Sequence, residues 1–297
     1  MRLPAKLALL VLSHLVLVAV FADLLASESP LLVRHAGSWW VLPGVTAPAA
    51  WGEVDPAALD STSPALWAPV RARPALTSGA SGAELVSLCI HGSRSIVITT
   101  LGVLALALAL GVPLGALAGR GVVWDGLLSR AVELTGALPS LVVVAALATG
   151  HAELGWLGFV IVLGALRGVE IARLVRGEVL RVSGTEFVLA ARALGGSPLR
   201  VVARHVLPHV WGPVIVSATF TAAGVVALEA ALSYLGLGLP DDVPSWGRLL
   251  GHAGRGIGVG AALAALLAIL VTTACLYVVA DALDDHLSAR RGGASRV

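Results

Sequence analysis

The sequence contains six stretches that are each apolar over about 20 residues, and this pattern limits the folds open to the chain. A helix needs roughly that length to cross the ~30 Å hydrocarbon core of a bilayer. The stretches lack the period-two alternation of a membrane β-barrel strand. They therefore predict an all-α integral membrane protein, a six-helix transmembrane bundle with spans near residues 7–25, 96–118, 131–149, 154–175, 213–239 and 257–280.

Positively charged residues indicate which side of the membrane each connection faces. Lys and Arg are retained on the cytoplasmic side, whereas Asp and Glu have little influence. With the N-terminus in the cytoplasm, most of the 20 Lys and Arg residues lie inside or at inner helix ends, including those from Arg167 to Arg204. The sequence thus predicts a multi-pass membrane protein with both termini cytoplasmic.

The spans divide the chain into an N-terminal transmembrane anchor, an external segment, a transmembrane domain and a cytoplasmic tail, at 1–26, 27–93, 94–285 and 286–297. The first span also fits a cleaved signal peptide, because Arg2 and Lys6 precede it, although its length favours a retained anchor. The external segment is rich in Pro, Gly, Ser and Trp, which predicts an irregular, partly ordered loop.

A basic connection at 177–211 follows the fourth span, and its sequence predicts two helices separated by a sharp turn. Ser183 and Glu186 fit a capping box, and Phe187, Ala191 and Leu194 recur on one helical face. Gly195 and Gly196 stop that helix. We expect a second helix that Ser197 caps, with Pro198 in its first turn and its end at Pro208. One side of this helix carries Leu199, Val202 and Val206, and another side carries Arg200 and Arg204.

Three interpretations of this connection compete. A loop that only fixes topology explains the arginines but does not require two capped helices. A DNA-binding helix-turn-helix is disfavoured because membrane spans tether both of its ends. The third interpretation, which the pattern favours, is a docking element for a cytoplasmic protein.

Two motifs resemble a known family. "AARALGG" at 190–196 and "RHVLP" at 204–208 resemble the cytoplasmic EAA loop of ABC importer permeases. "EAALSYLGLGLPDDVPSWGRLL" at 229–250 is similar to the permease subunits of dipeptide and oligopeptide ABC importers, and the resemblance covers about 84–287. The chain departs from the family at Leu189, where the loop usually has Glu, at His209 in place of Asn, and in a weakened motif before the second span.

The resemblance implies a permease subunit of a bacterial inner membrane. It would form half of the translocation pathway of an ATP-driven, binding-protein-dependent importer of peptides or similar small solutes. Its implied partners are cytoplasmic ABC ATPase subunits, a second permease subunit or a second copy of this chain, and an extracytoplasmic solute-binding protein. ATP and Mg²⁺ would bind the partner ATPase, since this chain has no G-x-x-x-x-G-K-[ST] loop and is not itself an enzyme. The implied ATPase-coupling residues are Glu186, Ala190, Ala191, Arg192, Gly195, Gly196, Arg200, Arg204 and His205.

Glu229 is the best-placed ionisable residue inside a predicted span, four residues before Ser233. Inserting such a group costs about 2.5–3.5 kcal/mol, so it must face a partner helix or a watery cavity. A pathway-lining role and a structural hydrogen-bond role for this pair are equally supported by the sequence. We predict neither catalytic residues nor a metal site.

Two other classes of protein fit the sequence less well. An ion-coupled secondary transporter should show an inverted repeat, but the loop motif occurs once. A membrane hydrolase should show H-E-x-x-H or G-x-S-x-G, and neither occurs. A diverged, non-transporting membrane subunit is the other alternative, and the residues do not identify the transported substrate.

Overall fold

A computed structural model describes residues 3–22, 32–35, 38–41, 82–137, 139–150, 155–240, 243–251 and 259–294. These residues are almost entirely helical. The helices in chain order are α1 Leu3–Val20, α2 Gly82–Ala118, α3 Val122–Ala137, α4 Ser140–Gly150, α5 Gly155–Ser183, α6 Glu186–Ala193, α7 Pro198–Val201, α8 Leu207–Tyr234, α9 Trp246–Gly251 and α10 Val259–Ala294. A π-helical turn, Val202–Val206, joins α7 to α8.

Four helical stretches within the described residues are long and apolar enough to cross a membrane: Leu3–Val20, Leu88–Ala118, Pro198–Tyr234 and Ala262–Ser288. The pair α3 and α4, bent by 83°, makes a fifth if it is counted as one broken span. The predicted span at 154–175 lies in α5, which is not among these. The all-helical membrane fold is therefore confirmed, while the predicted count of six spans is not reproduced in the described part of the chain.

The structure differs from the sequence prediction in three places. Helix α2 begins at Gly82 rather than near residue 96, so the last part of the predicted external segment is helical. The predicted third span is two helices, α3 and α4, separated near Pro139, whose ring cannot continue an α-helix. Two strands, β1 Leu32–His35 and β2 Ser38–Val41, pair antiparallel within the predicted irregular loop; residues 42–81 of that loop lie outside the described residues.

Helices α2 and α5 pack together through small residues. A Cβ atom added to Gly111 of α2 would lie 2.6 Å from the Gly168 carbonyl oxygen of α5, and one on Gly119 would lie 2.6 Å from Val179 Cγ1. Both distances are shorter than the closest approach of a Cβ atom to another heavy atom in proteins, about 3.0 Å. Small residues let helices approach closely in lipid, where van der Waals packing drives association. The hydrogen bond from Trp156 Nε1 to Thr99 Oγ1, 3.0 Å, joins the same two helices.

Apolar side chains cover much of the outer surface of the bundle. Leu10 and Leu17 on α1, Leu101 on α2, and Leu267 on α10 are each more than half exposed. Soluble proteins rarely expose apolar surface on this scale, whereas lipid-facing helices require it. Helices α1 and α10 thus present lipid-facing surfaces.

The short helix α9 packs against α8, α10 and α2. Trp246 Nε1 donates to the Cys89 carbonyl oxygen at 2.8 Å, and the indole ring lies where a side chain on Gly92 would be. Gly247 allows α9 to approach the Ala230 backbone of α8. The end of α8 is fixed by Gly236, whose φ of 74° belongs to the left-handed region that glycine adopts readily.

Candidate functional site: the segment between α5 and α8

The segment between α5 and α8, residues 184–206, is called the loop segment here. It begins with a cap that differs from the predicted one. Thr185, not Ser183, is the residue before α6, and its hydroxyl donates to the Val182 carbonyl oxygen at 2.6 Å instead of capping the helix. Ser183 is the last residue of α5, and its buried Oγ has no hydrogen-bond partner among the described residues. The predicted capping box is therefore wrong, because α5 extends over Ser183.

Helix α6 is anchored by one side chain and exposes most of the others. Val188 is fully buried against a cluster that includes Val182 and Val206. In contrast, Leu194 is 89% exposed, and Phe187 and Leu189 are also exposed. Of the predicted apolar face, Ala191 packs partly against this cluster, whereas Phe187 and Leu194 stay exposed. The loop segment consequently presents an apolar surface away from the bundle.

Two glycines form the turn after α6, each for a different physical reason. Gly195 has φ of 82°, and its N–H donates to the Arg192 carbonyl oxygen at 3.0 Å. Gly196 donates to the Ala191 carbonyl oxygen at 3.2 Å, and a Cβ atom there would lie 2.7 Å from that oxygen. Left-handed glycines that close helix ends in this way are common. The predicted turn is thus confirmed in its geometry.

The second helix does not end at Pro208 as predicted. Pro198 occupies its first position after Ser197, as expected, but the chain continues through the π-helical turn Val202–Val206 into α8. The ring of Pro208 has no N–H to donate, and in an α-helix it would collide with the carbonyl group four residues earlier. The wider π-helical turn makes room for this ring. The buried positions also differ, since Val201 rather than Leu199 joins Val202 and Val206 in the core.

Polar and basic residues surround the exposed apolar side chains of the loop segment. Six of the predicted coupling residues are exposed: Glu186, Ala190, Arg192, Gly195, Arg200 and Arg204. His205 and Ala191 are half-buried, and Gly196 is partly covered. His209 contacts the loop segment through its ring, which lies 5.1 Å from the Phe187 ring, and through Nδ1, which lies 2.9 Å from the His205 carbonyl oxygen. The predicted coupling residues therefore lie together on one short stretch of the surface.

Glu229 and Ser233 lie elsewhere, in a buried polar cluster near the other end of α8. Glu229 Oε1 accepts hydrogen bonds from Ser233 Oγ at 2.7 Å and from Ser245 Oγ at 2.8 Å. Arg248 is buried beside them and donates to the Leu239 and Val243 carbonyl oxygens. These contacts match the structural role considered for Glu229, because they hold the connection between α8 and α9 against the helix. The pathway-lining role stays a prediction.

A cavity of about 570 Å³ lies between α5, α8 and α10. Its lining includes Arg167, Glu170 and Asp284 together with the rings of Phe220 and Tyr277. Sequence reasoning missed this group because Arg167 was counted only as a charge that sets topology. Its position inside the predicted span at 154–175 was the available signal.

Comparisons with known proteins agree with this architecture. Residues 111–292, more than half of the chain, match the family described as "Binding-protein-dependent transport system inner membrane component". The chain is 33% identical over 159 residues to the oligopeptide transport system permease protein OppC of Bacillus subtilis, covering 53% of this chain and 52% of that protein. It is 31% identical over 211 residues to OppC of Haemophilus influenzae, covering 70% and 68% respectively.

A putative peptide permease protein of Brucella ovis is 31% identical over 173 residues, 58% of this chain and 57% of that protein. The matched region thus spans little more than half the length of the first of these relatives. Among solved structures, the MetNI methionine ABC transporter in an inward-facing conformation has a chain that superposes with a TM-score of 0.56. That match covers 71% of this chain and 99% of the other at 18% identity, so it bears on the fold alone.

Several observations point to the same family: the helical bundle, its lipid-facing surfaces, the two motifs at 190–208 and 229–250, and the match over residues 111–292. The chain belongs to the family of inner membrane components of binding-protein-dependent transport systems.

Proposed function

We propose that this chain is the permease subunit of an ATP-driven importer and forms half of the translocation pathway for peptides or similar small solutes. The matched permeases are named for peptide or oligopeptide transport, which supports this class of cargo. A solute-binding protein delivers the cargo on the outer side. The other half of the pathway is a second permease subunit or another copy of this chain.

The observation that carries the proposal is the surface of the loop segment. Leu194 and Leu199 are 89% and 67% exposed on a segment that both neighbouring helices hold in place. Exposed apolar patches of this kind mark protein interaction sites. Arg192, Arg200 and Arg204 surround them and can pair with carboxylates of a partner, which adds specificity to the contact.

In this proposal the loop segment docks a cytoplasmic ABC ATPase, which binds ATP and Mg²⁺. Small residues at Ala190, Ala191 and Gly195 let the backbone of the partner come close. Both termini and the loop segment then lie in the cytoplasm. The family assignment disfavours an ion-coupled secondary transporter, and a diverged subunit without a transport role is an outcome of the experiment below.

The experiment isolates the tagged chain from the membranes of its own host and identifies stoichiometric partners by mass spectrometry. We expect a subunit with a G-x-x-x-x-G-K-[ST] loop whose ATP hydrolysis is measurable in the purified complex. Gly195→Val should insert normally but lose this subunit and transport, because a β-branched residue does not tolerate φ of 82°.

Gly195→Asn is the matched control, since Asn tolerates the left-handed conformation and has a side chain of similar size. We expect it to retain the ATPase subunit. If Gly195→Val retains that subunit and transports normally, the loop segment is not the docking element. If no ATPase accompanies the unaltered chain, the chain is a diverged subunit.

A further inference from the structure

Helix α6 depends on contacts outside itself to stay folded. It has eight residues, whereas an isolated helix of fewer than about 12 residues is marginal in water. The structure describes all eight, and Val188 is the one buried side chain among them. Thr185 precedes the helix without capping it through its side chain. The conformation of α6 therefore rests on few contacts.

His209, in the first turn of α8, supplies one of these contacts. Its ring lies against the Phe187 ring of α6, with centroids 5.1 Å apart and planes tilted by 36°. Tilted aromatic rings at about 4.5–7 Å attract each other beyond the effect of the area they bury. Phe187 comes before the glycine turn and His209 after the π-helical turn, so the contact joins α6 directly to α8.

The His209 ring is itself held in place. Its Nδ1 lies 2.9 Å from the carbonyl oxygen of His205, a residue of the π-helical turn. A carbonyl oxygen can only accept a hydrogen bond, so Nδ1 carries the hydrogen and donates it. This bond restricts rotation of the ring about its side-chain bonds. Phe187 consequently meets a ring of fixed orientation.

We propose that His209 is a positioning residue: its ring, fixed by the His205 carbonyl group, holds Phe187 and keeps α6 folded on the bundle before a partner binds. The contact prepares the exposed side chains of α6, among them Leu189 and Arg192, for docking. A surface that is already ordered loses less conformational entropy when it binds. The inference rests on the proposed function, since it concerns the surface that docks the ATPase.

The first test needs no partner. Hydrogen–deuterium exchange of the full chain in nanodiscs measures how readily the backbone amides of α6 open. His209→Asn keeps a donor at the same position along the side chain but has no aromatic ring, and His209→Phe keeps a ring but has no donor. We expect His209→Asn to speed exchange across Glu186–Ala193 by about twofold to tenfold, the range for losing an aromatic pair, and His209→Phe to speed it less.

Two comparisons separate the ring contact from other effects of the substitution. Phe187→Leu removes the contact from the other helix and should give a similar acceleration, so the test stands even if one variant fails to fold. The double variant should exchange no faster than the faster single variant, because both changes remove the same contact. Trp211→Leu is the control on α8, since Trp211 is exposed and aromatic but has no ring contact in the described part of the chain.

The second test measures binding of the ATPase subunit that copurifies with the unaltered chain. If fewer chains hold α6 in its docking conformation, the apparent affinity falls with the competent fraction, and the loss appears in the association rate constant. His209→Asn should therefore slow association by about twofold to tenfold and leave the dissociation rate constant unchanged. A change in dissociation alone would indicate a direct contact between His209 and the ATPase and would overturn the positioning role.

The two tests fail separately. Equal exchange of α6 in the unaltered chain, His209→Asn and Phe187→Leu would refute this inference while the ATPase subunit stays bound. Faster exchange in His209→Phe than in His209→Asn would also refute it, because the ring would then not be the group that holds α6. Absence of an ATPase subunit from the unaltered chain would refute the proposed function, whatever the exchange of α6 shows.

Discussion

The contact between α2 and α5 predicts a large effect from adding one methyl group. In Gly111→Ala the new Cβ would lie 2.6 Å from the Gly168 carbonyl oxygen and 2.8 Å from Ile171 Cβ. Both neighbours are fixed, one as backbone and the other as the branch point of a side chain. The two helices must therefore move apart to accept an alanine.

The size of the effect follows from the distances. Ordinary van der Waals contact begins at 3.4 Å, so the helices must separate by about 0.8 Å at this point. A gap of that size removes roughly a quarter to a half of the attraction of each atom pair that faces it. Overpacking typically costs about 1–3 kcal/mol, and a cost of about 2 kcal/mol changes the unfolding equilibrium roughly thirtyfold.

The assay compares the free energy of unfolding of the purified variants in bicelles, measured by steric trapping. Gly177→Ala is the matched control on α5, because no heavy atom other than the adjoining backbone of its own helix lies within 4 Å of the position that its Cβ would occupy. Alanine is a better helix former than glycine, so this control should be unchanged or more stable by up to about 1 kcal/mol. If Gly111→Ala is as stable as Gly177→Ala, the two helices do not pack through Gly111.

Three further changes test other parts of the structure. Glu229→Ala should destabilise the chain by about 1–3 kcal/mol, because Ser233 and Ser245 lose their buried acceptor, and Glu229→Gln should cost less; equal thermal stability of the two variants would contradict this. Leu189→Glu should leave folding unchanged and alter affinity for the ATPase by less than about tenfold, since an exposed rim pair contributes only about 0–1 kcal/mol; a larger change in a pull-down titration would disprove it. Cysteine at Ser197 should react with a membrane-impermeant thiol reagent only after the cells are opened, and labelling of intact cells would reverse the proposed orientation.

The sequence predicted the features that depend on composition over many residues. Long apolar runs predicted the membrane helices. The pair Gly195–Gly196 predicted the turn, because the left-handed residue that follows a helix end is most often glycine. The helix boundaries were less predictable. The first turns of α2 contain His91 and Arg94, and the sequence prediction therefore began the second span only after them, although the segment is helical.

The residues of the cavity were not predicted because the sequence does not say which faces of distant helices meet. Arg167, Phe220 and Asp284 lie on three helices far apart in the chain. The cap predicted at Ser183 failed for a separate reason, because α5 extends over that residue. The local patterns thus predicted the turn at Gly195 and Gly196 correctly and the cap at Ser183 wrongly, and they contain no information on which helix faces meet.

The π-helical turn before Pro208 has a mechanical consequence. Because the chain does not break there, residues Pro198–Tyr234 form one continuous 37-residue rod that starts at the glycine turn and ends near the buried Glu229 cluster. At about 1.5 Å per residue this rod is roughly 55 Å long, and a tilt of about 5° at one end displaces the other by about 5 Å. If α7 and α8 move as one unit, a tilt of α7 by that angle displaces the far end of α8, beside the Glu229 cluster, by that distance.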